Sequence, residues 1–139
     1  MKVFYFGNPD GLTRQHKMHI EDLIYKCQHT IICITDNKVG TRLSTLTNMP
    51  GQTVKELYFV INMEADRVYE IKDTHEIELM FHNRNDQVIL KGKSKIITDM
   101  KVKQSKWQDW MNTKFPDGVE DKALSMLKFS THNIKAMID

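Results

Sequence analysis

The clearest hydrophobic pattern in the chain begins at residue 19. Apolar side chains recur there at i, i+3, i+4 and i+7, the spacing that lines one face of a helix. These side chains are Ile20, Leu23, Ile24 and Cys27. We therefore predict an amphipathic helix from His19 that packs this face against a sheet.

Three runs of β-branched and apolar residues follow this helix and predict strands. Thr30–Thr35 is apolar on both faces, as in a buried strand. Turn residues at 36–40 lead into a second strand over Thr41–Asn48, and Pro50-Gly51 separates it from a third strand over Glu56–Ile61. We expect these three strands to form an antiparallel meander.

The second half of the chain carries further strand patterns. Residues 76–81 alternate, with Ile77, Leu79 and Phe81 as the apolar members, which predicts a strand with one solvated face. Residues 87–98 predict a long strand, in which Gly92 marks a bulge or a bend. The last strand is expected over Leu124–Ser130, with a resumption over Ile134–Ile138.

Two more short helices are predicted between these strands. The first covers Asn62–Lys72, with Val68 and Ile71 facing inward. The second is capped by Asp99, carries both tryptophans and Met111, and ends at a turn over residues 115–118.

About six short strands and three short helices, without βαβ alternation, predict an α+β fold built on a barrel. Residues 1–18 show no periodicity, and we interpret them as an N-terminal arm that precedes a domain over residues 19–139.

Composition limits the classes of function. The 139 residues are 40% hydrophobic and 27% charged, with a mean hydropathy of -0.48, which is typical of one soluble domain. A net charge of +2 does not indicate nucleic acid as a partner, and the sequence contains no apolar run long enough for a membrane helix. Cys27 and Cys33 form no CxxC pair, so we expect reduced thiols and a cytoplasmic location.

Few residue patterns indicate specific chemistry. The six glycines are scattered and build neither a dinucleotide-binding turn nor a phosphate loop. His16 and His19 share a helical spacing but are interpreted as a solvated pair, so no metal site is expected. Residues 91, 93 and 95 are lysines on one strand face, which either keep the sheet soluble or attract an anion. The spacing of Trp107 and Trp110 favours core packing.

Two arginines are candidates for binding a phosphate, because a guanidinium offers paired donors to phosphate oxygens. Arg42 opens the second strand, and Arg67 lies in the first turns of the predicted helix after the third strand. Without further information, two solvated surface arginines are the favoured interpretation.

From about Glu21 to Ile138 the order of segments resembles the pyridoxamine 5'-phosphate oxidase-like flavoproteins, in particular the general stress protein 26 group. The matching segments are Gly40–Thr45, Glu56–Asn62 and Ala65–Ile71. The C-terminal part, with Trp107, Phe115-Pro116-Asp117-Gly118 and Leu124–Phe129, is similar to the W…FPGG…DD…LVLLR ending of that group.

The resemblance implies a six-stranded antiparallel split β-barrel with short flanking helices. It also implies a stress-associated homodimer with FMN, or alternatively FAD, at the dimer interface. Pairing is expected to use exposed apolar groups such as Leu57 and Phe59.

The same resemblance implies a set of flavin-binding residues. Arg42 and Arg67 would bind the phosphate, and Asn62, with Ile61 before it, would lie near the ribityl or phosphate end. The residues expected along the ring are Leu43, Ser44 and Thr45, with Trp107 covering it. Ser44 and Thr45 could donate hydrogen bonds to its polar edge.

Several residues depart from the family pattern. Ala65 stands in place of a phosphate-binding serine, Asp66 in place of a cation, Leu43 in place of proline, and Lys114 in place of a second tryptophan. Three hypotheses therefore stay open: an FMN-dependent oxidoreductase of unknown redox partner, a flavin or small-ligand binding protein without turnover, and a structural dimer whose site is lost.

Overall fold

The structure, a computed structural model, describes residues 2–36, 38, 40–62 and 75–139. In chain order its helices and strands are β1 (Val3–Gly7), α1 (Arg14–Lys26), β2 (His29–Asp36), β3 (Gly40–Thr47), β4 (Glu56–Asn62), β5 (Glu76–Asn83), β6 (Asp86–Ile97), α2 (Met100–Ser105), α3 (Met111–Lys114) and β7 (Leu124–Ile138). The helix predicted after Asn62 lies outside the described residues.

One antiparallel sheet forms the frame of the molecule. Its strand order is β1-β7-β6-β5-β2-β3, and β4 pairs with β7 off this path. An open antiparallel sheet with a few short helices confirms the predicted fold class. The described residues contribute seven strands, one more than predicted, because residues 3–7 join the sheet.

The predicted meander holds for β2 and β3 but is wrong for β4. β2 and β3 pair from His29↔Thr47 to Asp36↔Gly40, whereas β4 pairs with β7. Apolar side chains on both faces of β4 explain its position, because such a strand requires cover on each side. Leu57 and Phe59 are completely buried, so the expectation that they are available for contact with a second copy is wrong.

Residues 1–18 are more regular than their sequence pattern indicates. β1 pairs with the end of β7, and α1 begins at Arg14, five residues before His19. Thr13 caps the helix, since its hydroxyl accepts a hydrogen bond from the amide of His16 at 3.0 Å. The alternation of β1 is hidden in the sequence because Phe4 and Phe6 are aromatic and yet exposed.

The predicted bulge at Gly92 is confirmed. Lys91 pairs with Asn133 and Gly92 with Thr131, so one residue of β7 is left over between them. A Cβ atom at Gly92 would lie 2.0 Å from the carbonyl oxygen of Ser130, which explains the glycine. β7 runs without interruption through the gap that the sequence pattern indicates.

Two hydrophobic clusters lie on opposite faces of β4. The main core contains Leu57, Phe59 and Ile61 of β4 together with the apolar face of α1. The second cluster contains Met49, Val60, Met111, Phe115, Leu124 and Met126, with Tyr58, Ile97, Trp107 and Ala123 packed against it. β4 therefore presents one face to each cluster, and the second cluster carries α3.

Candidate functional site

A cleft of about 150 Å³ lies beside the second cluster, where β3, β4 and α3 meet. Its lining consists of Thr45, Leu46, Thr47, Val60, Asn62, Trp110, Lys114 and Phe115.

The β3 wall is explained by the alternation of a strand. Leu46 is buried in the main core, and Arg42 and Ser44 share its face of the strand. Thr45 therefore lies on the opposite face, together with Leu43, and contributes to the cleft. Leu43 is 72% exposed, so the strand carries an uncovered apolar side chain next to the cleft.

The β4 wall follows from the two faces of that strand. Ile61 points into the main core and is completely buried. Val60 and Asn62 lie on the other face, which places the Asn62 amide in the cleft.

The third wall is the short helix α3, which the second cluster holds in place. Met111 and Phe115 are buried there, and the amide of Phe115 closes the helix on the carbonyl of Met111 at 2.8 Å. Trp110 remains 36% exposed, and the Lys114 ammonium lies 5.6 Å from the centre of its ring. An aromatic face and a cation therefore share the rim of the cleft.

A buried lysine fixes the segment before α3. The side-chain nitrogen of Lys103 in α2 donates a hydrogen bond to the carbonyl of Leu124 at 3.1 Å. The carboxylate of Asp99 accepts from the amide of Lys101 at 2.8 Å, as the predicted cap requires. Leu124 also pairs with Asn62, so α2 is tied to the strand pair beside the cleft.

Two polar side chains order the loop that joins the β3 and β4 walls. Asn48 donates to the carbonyls of Ile24 and Cys27 at 2.7 and 2.9 Å. Gln52 donates to the carbonyl of Tyr58 at 2.6 Å and accepts from its amide at 2.8 Å. The start of the loop is therefore tied to the end of α1, and its middle is tied to β4.

Of the predicted flavin-binding residues, the structure brings Thr45 and Asn62 together in the cleft. Leu43 flanks it, whereas Arg42 and Ser44 lie on the other face of β3 and Ile61 lies in the core. Trp107 packs against the second cluster. Arg67, Ala65 and Asp66 lie outside the described residues, and the roles assigned to all of these residues stay predictions.

Sequence reasoning missed Trp110, Lys114 and Phe115 as members of the cleft. The prediction of one helix after Asp99 is wrong, because α2 ends at Ser105 and a second helix begins at Met111. A spacing of four residues between Trp110 and Lys114 is the signal that could have grouped them on one helical face.

The lining suits a planar ligand with a polar edge. Hydroxyl and amide groups of Thr45, Thr47 and Asn62 both donate and accept hydrogen bonds. Among the described lining residues, Lys114 is the one charged group, which favours a neutral or anionic ligand. The described residues contain no group of three or more metal-ligating side chains.

The sequence pattern of the family described as pyridoxamine 5'-phosphate oxidase like matches residues 15–135. The chain belongs to this family. The predicted family is thus confirmed over most of the chain. A search of curated protein sequences found no significant match.

Solved structures of general stress proteins share the fold of this family member. A Clostridium acetobutylicum protein related to general stress protein 26 is 19% identical, with a TM-score of 0.74 and 86% of each chain covered. A putative general stress family protein from Xanthomonas campestris is 11% identical, with a TM-score of 0.76, over 91% of this chain and 88% of its own.

A third similar structure is that of the general stress FMN/FAD binding protein from Xanthomonas citri. It is 13% identical, with a TM-score of 0.68, and the match covers 91% of this chain and 92% of that protein. At these identities the likeness shows the pyridoxamine 5'-phosphate oxidase-like fold.

Among the described residues, no helix is long and apolar enough to cross a membrane.

Proposed function

We propose that this protein binds a flavin, with FMN as the first candidate, in the cleft between β3, β4 and α3, and uses it as an oxidoreductase. The observation that carries the proposal is the convergence of Thr45 and Asn62 with Trp110 and Lys114 in one cleft. The family match and the similarity to an FMN/FAD binding protein support the same ligand.

The cleft residues fit the isoalloxazine part of the cofactor. Its polar edge combines carbonyl oxygens with ring nitrogens, and the side chains of Thr45 and Asn62 offer both donors and acceptors to such an edge. Trp110 supplies an aromatic face for a planar ring. Lys114 adds positive charge, which stabilises a ligand that gains negative charge.

Bound flavin would supply hydride transfer, and the protein would hold and orient it. Val60 and Phe115 are buried beside the cleft and exclude water from its inner end. No residue of the cleft is required to move a proton for this role.

The size of the cleft supports a homodimer. About 150 Å³ is below the roughly 300–1,000 Å³ of typical small-molecule sites, so the cleft encloses only part of a flavin. The exposed Leu43 next to Thr45 is an apolar side chain that a second copy would cover. We propose that the second copy completes the site.

Arg42 and Arg67 remain the proposed phosphate ligands. In the described strand order β3 is terminal, so a ligand that passes its outer edge can reach both faces of the strand. Arg42 is half-buried on the face opposite Thr45. A flavin whose ring lies in the cleft and whose side chain crosses the outer edge of β3 would bring its phosphate to Arg42.

A titration of the full chain with FMN, followed by flavin fluorescence, tests this site. Thr45→Val removes one hydroxyl from the lining and should weaken binding by about three- to tenfold. Thr41→Val, an exposed site on the same strand and the same face, is the matched control and should leave the affinity unchanged. Equal affinities for both variants would place the flavin elsewhere.

Turnover is tested separately from binding. Mixing the FMN complex with NADH or NADPH should bleach the flavin absorbance, and an added electron acceptor should restore it. A bound flavin that neither donor reduces would favour the alternative of a flavin-binding protein without turnover.

A further inference from the structure

A groove of about 290 Å³ lies on the sheet surface formed by β6 and β7, and none of its residues lines the flavin cleft. It is lined by Lys93, Ser94, Lys95, Lys128 and Ser130, and we refer to it as the lysine groove. Two of its lysines belong to the series at positions 91, 93 and 95 that alternates along β6.

The strand register concentrates positive charge in the lysine groove. Lys95 pairs directly with Lys128, and Lys93 pairs with Ser130. Directly paired residues have Cβ atoms about 5 Å apart, where two like charges destabilise a sheet. The pairing of Lys95 with Lys128 is therefore unfavourable unless a counter-charge is present.

One carboxylate offsets this charge among the described residues. Glu56 on β4 contacts the Lys128 ammonium at 2.6 Å. The hydrogen bond that the Lys128 ammonium donates to this carboxylate, together with the negative charges of Tyr58 ionised at high pH and of Glu56, raises the pKa of Lys128 above its ordinary value of 10.5. Lys128 thus stays cationic, and Glu56 is the one carboxylate among the described residues that forms an ion pair with a lysine of the groove.

Two of the three ammonium groups are held in place rather than spread into solvent. Lys128 is fixed by Glu56, and Lys93 donates a hydrogen bond to the carbonyl of His75 at 3.3 Å. Lys91, outside the groove, lies 3.8 Å from Glu76. Lysines that only keep a sheet soluble need no such anchoring, so the arrangement favours the anion interpretation of the β6 lysines.

The size of the groove limits the class of ligand. Its volume suits one or two phosphate groups, and a net charge of +2 over the whole chain does not support a polymeric nucleic acid. We propose that the lysine groove is a second binding site, which takes the phosphate or pyrophosphate group of a small molecule. The Ser130 hydroxyl adds a neutral donor to the three ammonium groups.

Calorimetric titration of the full chain with inorganic pyrophosphate, at constant ionic strength, tests this site. Lys95→Met should weaken binding at least about tenfold. Lys122→Met, an exposed site outside the groove, makes the same change in net charge and should leave binding unchanged. No saturable binding, or equal losses in both variants, would overturn the proposal.

A variant that binds pyrophosphate more tightly than the wild type provides a second test, because a variant that fails to fold cannot gain affinity. Glu56→Gln removes the carboxylate that pairs with Lys128 and should strengthen pyrophosphate binding about threefold. An unchanged or weaker affinity would show that Glu56 does not offset the positive charge of the lysine groove.

The two proposed sites are distinguished by competition. Protein saturated with FMN should bind pyrophosphate as tightly as protein without FMN. Displacement of FMN by pyrophosphate that Lys95→Met abolishes would assign the lysine groove to the flavin site and overturn its role as a separate site.

Discussion

Replacing Gly92 by alanine tests the packing of β6 on β7. The added Cβ would lie 2.0 Å from the carbonyl oxygen of Ser130, 3.0 Å from its carbonyl carbon and 3.1 Å from a ring carbon of Phe129. Real Cβ atoms essentially never approach closer than 3.0 Å, so the two strands must separate by about 1 Å. The obstacle is backbone, which no side-chain rotation relieves.

The expected cost follows from this geometry. Overpacking typically costs 1–3 kcal/mol, and a clash between paired backbones belongs near the upper end, at about 3 kcal/mol. A chain of this size is expected to have a free energy of unfolding of roughly 7–20 kcal/mol. Gly92→Ala should therefore fold but melt about 6–12 °C lower than the wild type.

Urea unfolding followed by circular dichroism measures this loss. Gly51→Ala is the matched control, because Gly51 has a φ of +76° and no atom within 4 Å of an added Cβ. Its backbone strain alone should cost about 1 kcal/mol. A loss for Gly92→Ala that is no larger than the loss for Gly51→Ala would refute the close approach of the strands.

Three further predictions concern the helices and the thiols. Lys103→Met leaves the carbonyl of Leu124 without its side-chain donor and should lower the free energy of unfolding by about 1 kcal/mol; an unchanged urea midpoint would contradict the tether. Asp99→Ala removes the cap of α2 and should lower the free energy of unfolding by about 1 kcal/mol in the same assay. Asp109→Ala is the control, because α3 has no side-chain cap, and it should leave the free energy of unfolding unchanged. Burial raises the pKa of the Cys27 thiol above its ordinary value of 9.0, which lowers its thiolate fraction at pH 8. Iodoacetamide should therefore modify the half-buried Cys33 before the buried Cys27. Mass spectrometry that finds Cys27 modified first would contradict this.

Local patterns predicted most of the strands because burial imposes a period of two on a sheet. Residues 77, 79 and 81 are completely buried, as their alternation indicates. The pairing of β4 was not predictable in the same way, since its partner lies more than sixty residues later and adjacent sequence favours a hairpin.

The candidate site was predicted only in part, for the same physical reason. Thr45 and Asn62 are the last residues of two of the sequence segments that resemble the family pattern, and their strand faces bring them together in the cleft. Trp110 and Lys114 enter the cleft because the chain turns between Ser105 and Met111, and packing against the second cluster decides that turn. Helical periodicity alone extends the first helix through this turn.

The central claim is that the cleft between β3, β4 and α3 binds FMN. The most direct measurement is the visible absorbance spectrum of the purified full chain after incubation with excess FMN and desalting, with the retained flavin quantified against protein. We expect a yellow protein that keeps about one FMN per chain. A colourless protein, with all FMN recovered in the small-molecule fraction, would contradict it.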